Sequence, residues 1–136
     1  MNLMMHKDIG HWQYTDDVPL DTFGFVYCIE NLKNRKKYIG KKQMFKIIKR
    51  KPLKGKKNKR HEKIESDWKT YTSSCNELNE DIKREGIENF RFEILRLCDS
   101  KWELAYYEAK EQFDKNVLLD ESYYNGIINL RVARKG

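Results

Sequence analysis

Residues 23–30 read FGFVYCIE, and residues 36–40 read KKYIG. The first stretch is rich in aromatic and β-branched side chains and is followed by the polar run NLKN, which is the pattern of a β-strand that ends in a loop. The second stretch returns as another strand. We therefore predict a β-hairpin that carries Tyr27 on its first strand and Tyr38 on its second.

Downstream of this hairpin, the apolar residues change to a helical spacing. Ile64, Trp68 and Tyr71 lie at i, i+4 and i+7, which predicts an amphipathic helix over residues 61–71. A second helix is predicted over residues 75–85. It begins at a capping box formed by Ser74 and Glu77, and it ends at Gly86.

The second half of the chain adds one strand and one helix. Residues 90–98 (FRFEILRLC) alternate apolar and polar side chains, as in a strand with one buried face. Ser100 and Glu103 form another capping box, which opens a helix predicted to run to about residue 116. Residues 123–130 are apolar and short, and their pattern predicts neither a helix nor a strand.

The size and composition of the chain predict one compact domain. It has 136 residues, of which 39% are hydrophobic, and it carries a net charge of +7. We divide it into an N-terminal extension, residues 1–20, and a single domain, residues 21–136. No apolar stretch predicts a signal peptide or a membrane span, so we expect a cytoplasmic location. Three scattered cysteines support neither a disulfide framework nor a zinc finger.

Most of the positive charge lies in one segment. Residues 41–60 contain eleven Lys or Arg and no acid, which leaves the rest of the chain at a net charge of −4. Pro52 and Gly55 disfavour a continuous helix, so we predict an extended basic arm. Such an arm gains the most binding free energy from a nucleic-acid backbone, where contacts to phosphates release condensed counterions. A flexible, solvated loop has the same composition and is the alternative interpretation. The predicted DNA-binding residues are Lys41, Lys42, Lys49, Lys51, Lys54, Lys56, Lys57 and Lys59.

The two hairpin strands carry a pair of motifs. Phe25-Val26-Tyr27 and Tyr38-Ile39-Gly40, ten residues apart, resemble the two-part signature of the GIY-YIG nuclease superfamily. The first motif departs from that signature because Phe25 stands in place of its glycine. The order of the motifs that follow is similar to the phage and homing-endonuclease branch, and the resemblance covers roughly residues 23–130.

The resemblance implies a fold and an activity. The fold is an α/β (α+β) domain with a small three-stranded antiparallel sheet flanked by helices. The activity is a metal-dependent DNA endonuclease in which Glu108 holds one Mg²⁺ or Mn²⁺. Tyr27 and Tyr38 match the catalytic tyrosines, one of which deprotonates the attacking water. Asn125 matches a closing asparagine that orients Glu108 or Tyr27. A tyrosine acts as a base only if nearby cations lower its pKa.

The position of a catalytic arginine stays open. Family members carry it on a helix after the second motif. Counting forward from Tyr38 favours Arg50, whereas counting backward from Glu108 favours Arg60 at the start of the helix predicted over residues 61–71. Lys41 and Lys42, which directly follow Gly40, are the alternative candidates for this catalytic cation.

Other functional classes compete with the nuclease. A non-catalytic nucleic-acid-binding module uses a basic arm and aromatic side chains equally well. A ribosome-associated or RNA-processing factor has the same charge. The carboxylate of Glu108 favours the nuclease, because an acid repels phosphate unless a metal intervenes. We expect DNA as the partner, no membrane, no small-molecule cofactor, a possible homodimer, and a location in the host cytoplasm if the gene belongs to a phage.

Overall fold

The fold was obtained as a computed structural model that describes residues 4–129 and 131–135. Residues 1–3 of the predicted N-terminal extension, Leu130 of the segment 123–130, and Gly136 lie outside the described residues. None of the described helices is both long enough and apolar enough to cross a membrane.

The described residues form six strands and two α-helices. Their bounds, in chain order, are β1 (Trp12–Gln13), β2 (Gly24–Asn31), β3 (Lys37–Gln43), β4 (Phe45–Arg50), β5 (Arg60–Glu65), α1 (Asn76–Glu85), β6 (Phe90–Cys98) and α2 (Lys101–Asp114). Short 3₁₀ turns lie at Trp68–Thr70 and Ile87–Asn89.

The central sheet has the order β1-β6-β2-β3. Strands β6, β2 and β3 are antiparallel, which confirms the predicted three-stranded antiparallel sheet with flanking helices. The two residues of β1 add a parallel partner at the far side of β6. Strand β3 therefore forms the opposite edge of this sheet.

Strand β2 carries apolar side chains on both of its faces because both faces of the sheet are covered. Phe25, Tyr27 and Ile29 lie on one face with Trp68 and with Leu78 of α1. On the other face, Val26 and Ile39 pack against Leu104 of α2. Trp12, from the predicted N-terminal extension, is also buried in the first of these cores.

The two helices begin in different ways. The Oγ of Ser100 accepts the backbone N–H of Glu103, as the second capping box predicts. The prediction of the first capping box is wrong, because α1 begins at Asn76 after Cys75 and no side chain caps it. The hydroxyl of Ser74 is therefore not used in helix capping.

The basic segment forms a second, separate β-hairpin. Strands β4 and β5 pair along their whole length, from Phe45 opposite Glu65 to Arg50 opposite Arg60. The helix predicted over residues 61–71 is therefore wrong. Its first residues pair with β4, and its buried Trp68 lies in a 3₁₀ turn. Most hairpin side chains are exposed, and the predicted extended arm is this ribbon and its tip.

Candidate active site

Tyr27 and Tyr38 lie on the same face of the sheet, on neighbouring strands. Their ring centroids are 6.2 Å apart, and the ring planes are inclined by 35°. The residue paired with Tyr27 across the strands is Gly40. A Cβ atom at Gly40 would lie 2.5 Å from the Tyr27 hydroxyl oxygen and 2.9 Å from a Tyr38 ring carbon. The glycine of the second motif is therefore what allows the two tyrosines to approach.

Glu108 reaches the edge of the sheet from α2. Its carboxylate is mostly buried, with 14% of the side chain exposed, and its Oε1 lies 3.5 Å from the Nζ of Lys41. Lys41 is on β3, on the face that α2 covers. The strand thus brings a cation next to the carboxylate, one residue after the glycine.

A cavity of about 330 Å³ joins these groups at the edge formed by β3. The tyrosines enter it from one face of the sheet, and the carboxylate and lysine from the other. Its lining residues are Tyr27, Tyr38, Lys41, Tyr71, Ser74, Glu108, Gln112, Ile127 and Asn129. Three of the four residues that the resemblance assigns to chemistry therefore share one cavity.

Burial dominates the titration of these groups. It raises the pKa of Glu108 above its usual value, and the adjacent Lys41 ammonium only partly opposes this. Burial also raises the pKa of Tyr38 to about 12, and it raises the pKa of Tyr27 well above its ordinary value. A lowered tyrosine pKa, which the sequence argument requires of a base, is not found in the protein alone.

Asn125 holds the strand that carries the second motif. The Ile39 N–H donates to Asn125 Oδ1 at 3.0 Å, and Asn125 Nδ2 donates to the Ile39 carbonyl at 2.8 Å. Gln112 Nε2 donates to the same carbonyl at 2.9 Å. Asn125 therefore extends the sheet as a backbone partner would, and the hydrogen bonds of its side chain go to Ile39 rather than to Glu108 or Tyr27.

The two candidate arginines lie outside the cavity. Arg50 and Arg60 face each other where β4 and β5 run into the hairpin tip, and both are exposed. Arg50 contacts Glu62 at 2.7 Å, and Arg60 donates to the Lys51 carbonyl. Among the described residues, Lys41 is the one cation that lines the cavity.

The predicted DNA-binding lysines divide into two groups. Lys42 contacts Asp67 at 2.7 Å and lies 3.9 Å from the centre of the Tyr71 ring, so it is held at the sheet. Lys41 lies in the cavity. The other six are exposed on the hairpin: Lys49, Lys51, Lys54, Lys56, Lys57 and Lys59.

Sequence reasoning missed four polar residues of the lining. Ser74 lies near Tyr38, and its hydroxyl partly opposes the rise in the pKa of that tyrosine. Tyr71, Gln112 and Asn129 also contribute. Of these, only Gln112 had a usable signal, because it lies four residues after Glu108 on the same helix and is therefore on the same face.

The lining is compatible with one hard divalent cation. Among residues 4–129 and 131–135 there is no group of three or more His, Cys, Asp or Glu that could form a complete metal cage. Mg²⁺ is commonly bound by one or two carboxylates and completed by water and substrate phosphates. The mostly buried carboxylate of Glu108, in a polar cavity, fits that mode of binding.

Comparisons with known proteins agree with this geometry. The family model described as "Putative endonuclease segE, GIY-YIG domain" matches residues 9–128. No curated protein and no solved structure gives a significant match. The family match covers most of the chain, including both tyrosine motifs, Glu108 and Asn125. The chain therefore belongs to the GIY-YIG nuclease family, in its segE-type branch.

Proposed function

We propose that this protein is a metal-dependent DNA endonuclease that hydrolyses phosphodiester bonds in the cavity at the edge of β3. The observation that carries the proposal is the meeting of the Glu108 carboxylate, the Lys41 ammonium and two tyrosines in one cavity. Glu108 would hold Mg²⁺ or Mn²⁺. When bound, the cation stabilises the negative charge that develops on the phosphate in the transition state.

The two tyrosines have different roles in this proposal. Tyr38 is the more accessible of the two, because Tyr27 is only 1% exposed whereas Tyr38 is partly buried. Forming a phenolate therefore costs less free energy at Tyr38, which we assign as the group that accepts the proton of the attacking water. Tyr27 is almost fully buried and its ring packs against those of Trp12 and Tyr71, so we assign its hydroxyl to orienting the water or the phosphate.

Lys41 takes the role that family members give to an arginine. Its ammonium is the cation nearest to the carboxylate, whereas Arg50 and Arg60 lie on the exposed hairpin. A lysine supplies a point charge without the bidentate geometry of a guanidinium. It can still neutralise a phosphate oxygen next to the metal position.

The hairpin of β4 and β5 would bind the DNA backbone. Its lysines are exposed and unshielded by acids at the tip, where residues 51–59 contain five Lys and no Asp or Glu. Contacts between these ammonium groups and phosphates release condensed counterions, which provides affinity without sequence preference.

The test is incubation of the pure protein with supercoiled plasmid in Mg²⁺, in Mn²⁺ and in EDTA. We expect nicked or linear product with either metal and intact plasmid in EDTA. Linearised product indicates that both strands are cut, either together by a dimer or by two successive nicks. If the plasmid stays supercoiled with both metals while the protein still retards it in a gel, the protein is a non-catalytic DNA-binding module.

A further inference from the structure

A second cleft adjoins the proposed active site. It has a volume of about 450 Å³ and shares two lining residues, Lys41 and Asn129, with the cavity that contains Glu108. It runs from the end of β3 to the first turn of α2. The two hollows are thus neighbouring parts of one surface along the edge of the sheet.

Every charged residue that lines this cleft is a cation. They are Lys41, Lys42, Lys101 and Arg131, and no Asp or Glu among the described residues lines it. Acids of the neighbouring surface already neutralise two of them, because Lys41 contacts Glu108 and Lys42 contacts Asp67. Lys101 and Arg131 are exposed, and no described carboxylate lies within ion-pair distance of either. Two cationic groups are therefore available to an anion from outside.

The backbone of β3 also faces this edge. Alternate N–H groups point away from β2: that of Lys37 donates to the Ser122 carbonyl, and that of Ile39 donates to Asn125. Alternation along an antiparallel strand turns the next such N–H, that of Lys41, in the same direction. A hydrogen-bond donor thus lies at the boundary between the cleft and the cavity.

We propose that this cleft binds the phosphodiester that neighbours the scissile one on the same DNA strand, through Lys101 and Arg131. The proposal rests on the endonuclease function proposed above. A strand whose scissile phosphate lies beside Glu108 must continue past Lys41, and the cationic cleft is the adjoining hollow on that side. Binding there would fix the direction of the strand through the active site.

The experiment first maps the major cut in a fluorescein-labelled 20-base-pair duplex with the wild-type protein and Mg²⁺. Affinities are then measured in EDTA for duplexes in which one phosphodiester beside the cut is replaced by a neutral methylphosphonate. The test variant is Lys101→Gln with Arg131→Gln. The matched control is Lys83→Gln with Lys115→Gln, which removes the same charge from exposed positions on α1 and after α2.

We expect the test variant to lower the log–log salt slope of binding to the unmodified duplex by about two units. The control should leave the slope near that of the wild type. A methylphosphonate at one position beside the cut should weaken wild-type binding several-fold and leave the affinity of the test variant unchanged. This loss of sensitivity identifies the phosphate that the cleft contacts.

Two results would overturn the inference and leave the endonuclease intact. In one, the test variant has the same salt slope as the control. In the other, each methylphosphonate weakens binding of the wild type and the test variant equally. A wild-type protein that cuts no duplex with any divalent metal would instead contradict the proposed function, and this inference would fall with it.

Discussion

At the scale of single residues, the close approach of two tyrosines depends on one missing Cβ atom. Replacing Gly40 by Ala puts a methyl group 2.5 Å from the Tyr27 hydroxyl oxygen, a contact that the buried Tyr27 can relieve only by moving its ring. We expect the Gly40→Ala variant to lose about 1–3 kcal/mol of unfolding free energy, as overpacked cores do, and to cut DNA poorly.

Gly126 provides the matched control for this prediction. A Cβ atom at Gly126 would meet nothing within 4 Å. Gly126→Ala should therefore unfold in urea at a midpoint close to that of the wild type. Equal midpoints for the two variants would mean that the tyrosines pack more loosely around Gly40 than the structure indicates.

The buried carboxylate of Glu108 carries a cost in stability. Because burial raises its pKa in the folded protein, its ionised form is disfavoured relative to the unfolded chain. The penalty is absent below the unfolded pKa near 4.5 and grows as pH rises through the folded pKa. We therefore expect Glu108→Gln to raise the melting temperature at pH 7 without metal, and to match the wild type near pH 4.

Thermal melts of both proteins from pH 4 to pH 8 provide the measurement. A lower melting temperature of Glu108→Gln at pH 7 would show that the contact with Lys41 outweighs burial. Stabilisation at pH 7 is the expected signature of a residue kept for function at the expense of folding free energy.

The assignment of Tyr38 as the base predicts a pH profile. Because the pKa of Tyr38 is raised to about 12, only a small phenolate fraction exists near neutral pH, and it increases with pH. Single-turnover cleavage should rise about tenfold per pH unit between pH 7 and pH 9. Tyr38→Phe should lose the rate and this slope, whereas Tyr27→Phe should be slower with the slope retained. A slope that disappears only in Tyr27→Phe would exchange the two roles.

At the scale of elements, strands and helices with a strong local pattern were predictable. The periodicity of residues 23–30, 90–98 and 100–116 agrees with β2, β6 and α2. The segment 61–71 was not predictable in this way, because Ile64 and Trp68 fit a helical spacing although residues 60–65 pair with β4, the other strand of their hairpin. Strand pairing is a non-local interaction, and it overrides local periodicity here.

The same difference explains why neither candidate arginine lies in the cavity. Counting forward to Arg50 and backward to Arg60 both assume that a helix follows the second motif. The chain instead forms the hairpin of β4 and β5 at that place, so both arginines lie on its exposed end. Of the two lysines that the sequence offers as substitutes, Lys41 and Lys42, the one that lines the cavity is Lys41.

The hairpin as an element carries a prediction of its own. Replacing Lys54, Lys56, Lys57 and Lys59 by Gln should lower the log–log salt slope of DNA binding by about three to four units, for all sequences alike. The metal requirement should not change, because these residues lie outside the cavity. Fluorescence anisotropy over a range of KCl concentrations measures the slope. An unchanged slope would show that the tip is a solvated loop.

At the scale of the whole molecule, the candidate active site lies where three separate parts of the chain meet. Two strands supply the tyrosines and Lys41, α2 supplies Glu108, and the segment after α2 supplies Asn125, which pairs with the free edge of β3. The tyrosine motifs and Glu108 were predictable from the resemblance. The contact between Lys41 and Glu108, and the pairing of Asn125 with Ile39, depend on how α2 and the last segment pack against the sheet edge.

The proposal that Glu108 holds the metal with which this cavity cleaves DNA can be tested at one residue. Its most direct test is the single-turnover nicking rate of Glu108→Gln in saturating Mg²⁺, compared with Glu111→Gln on the same helix, which does not line the cavity. We predict a loss of at least about 100-fold for Glu108→Gln, with DNA binding retained, and a rate near that of the wild type for Glu111→Gln. Near-normal nicking by Glu108→Gln would contradict the account.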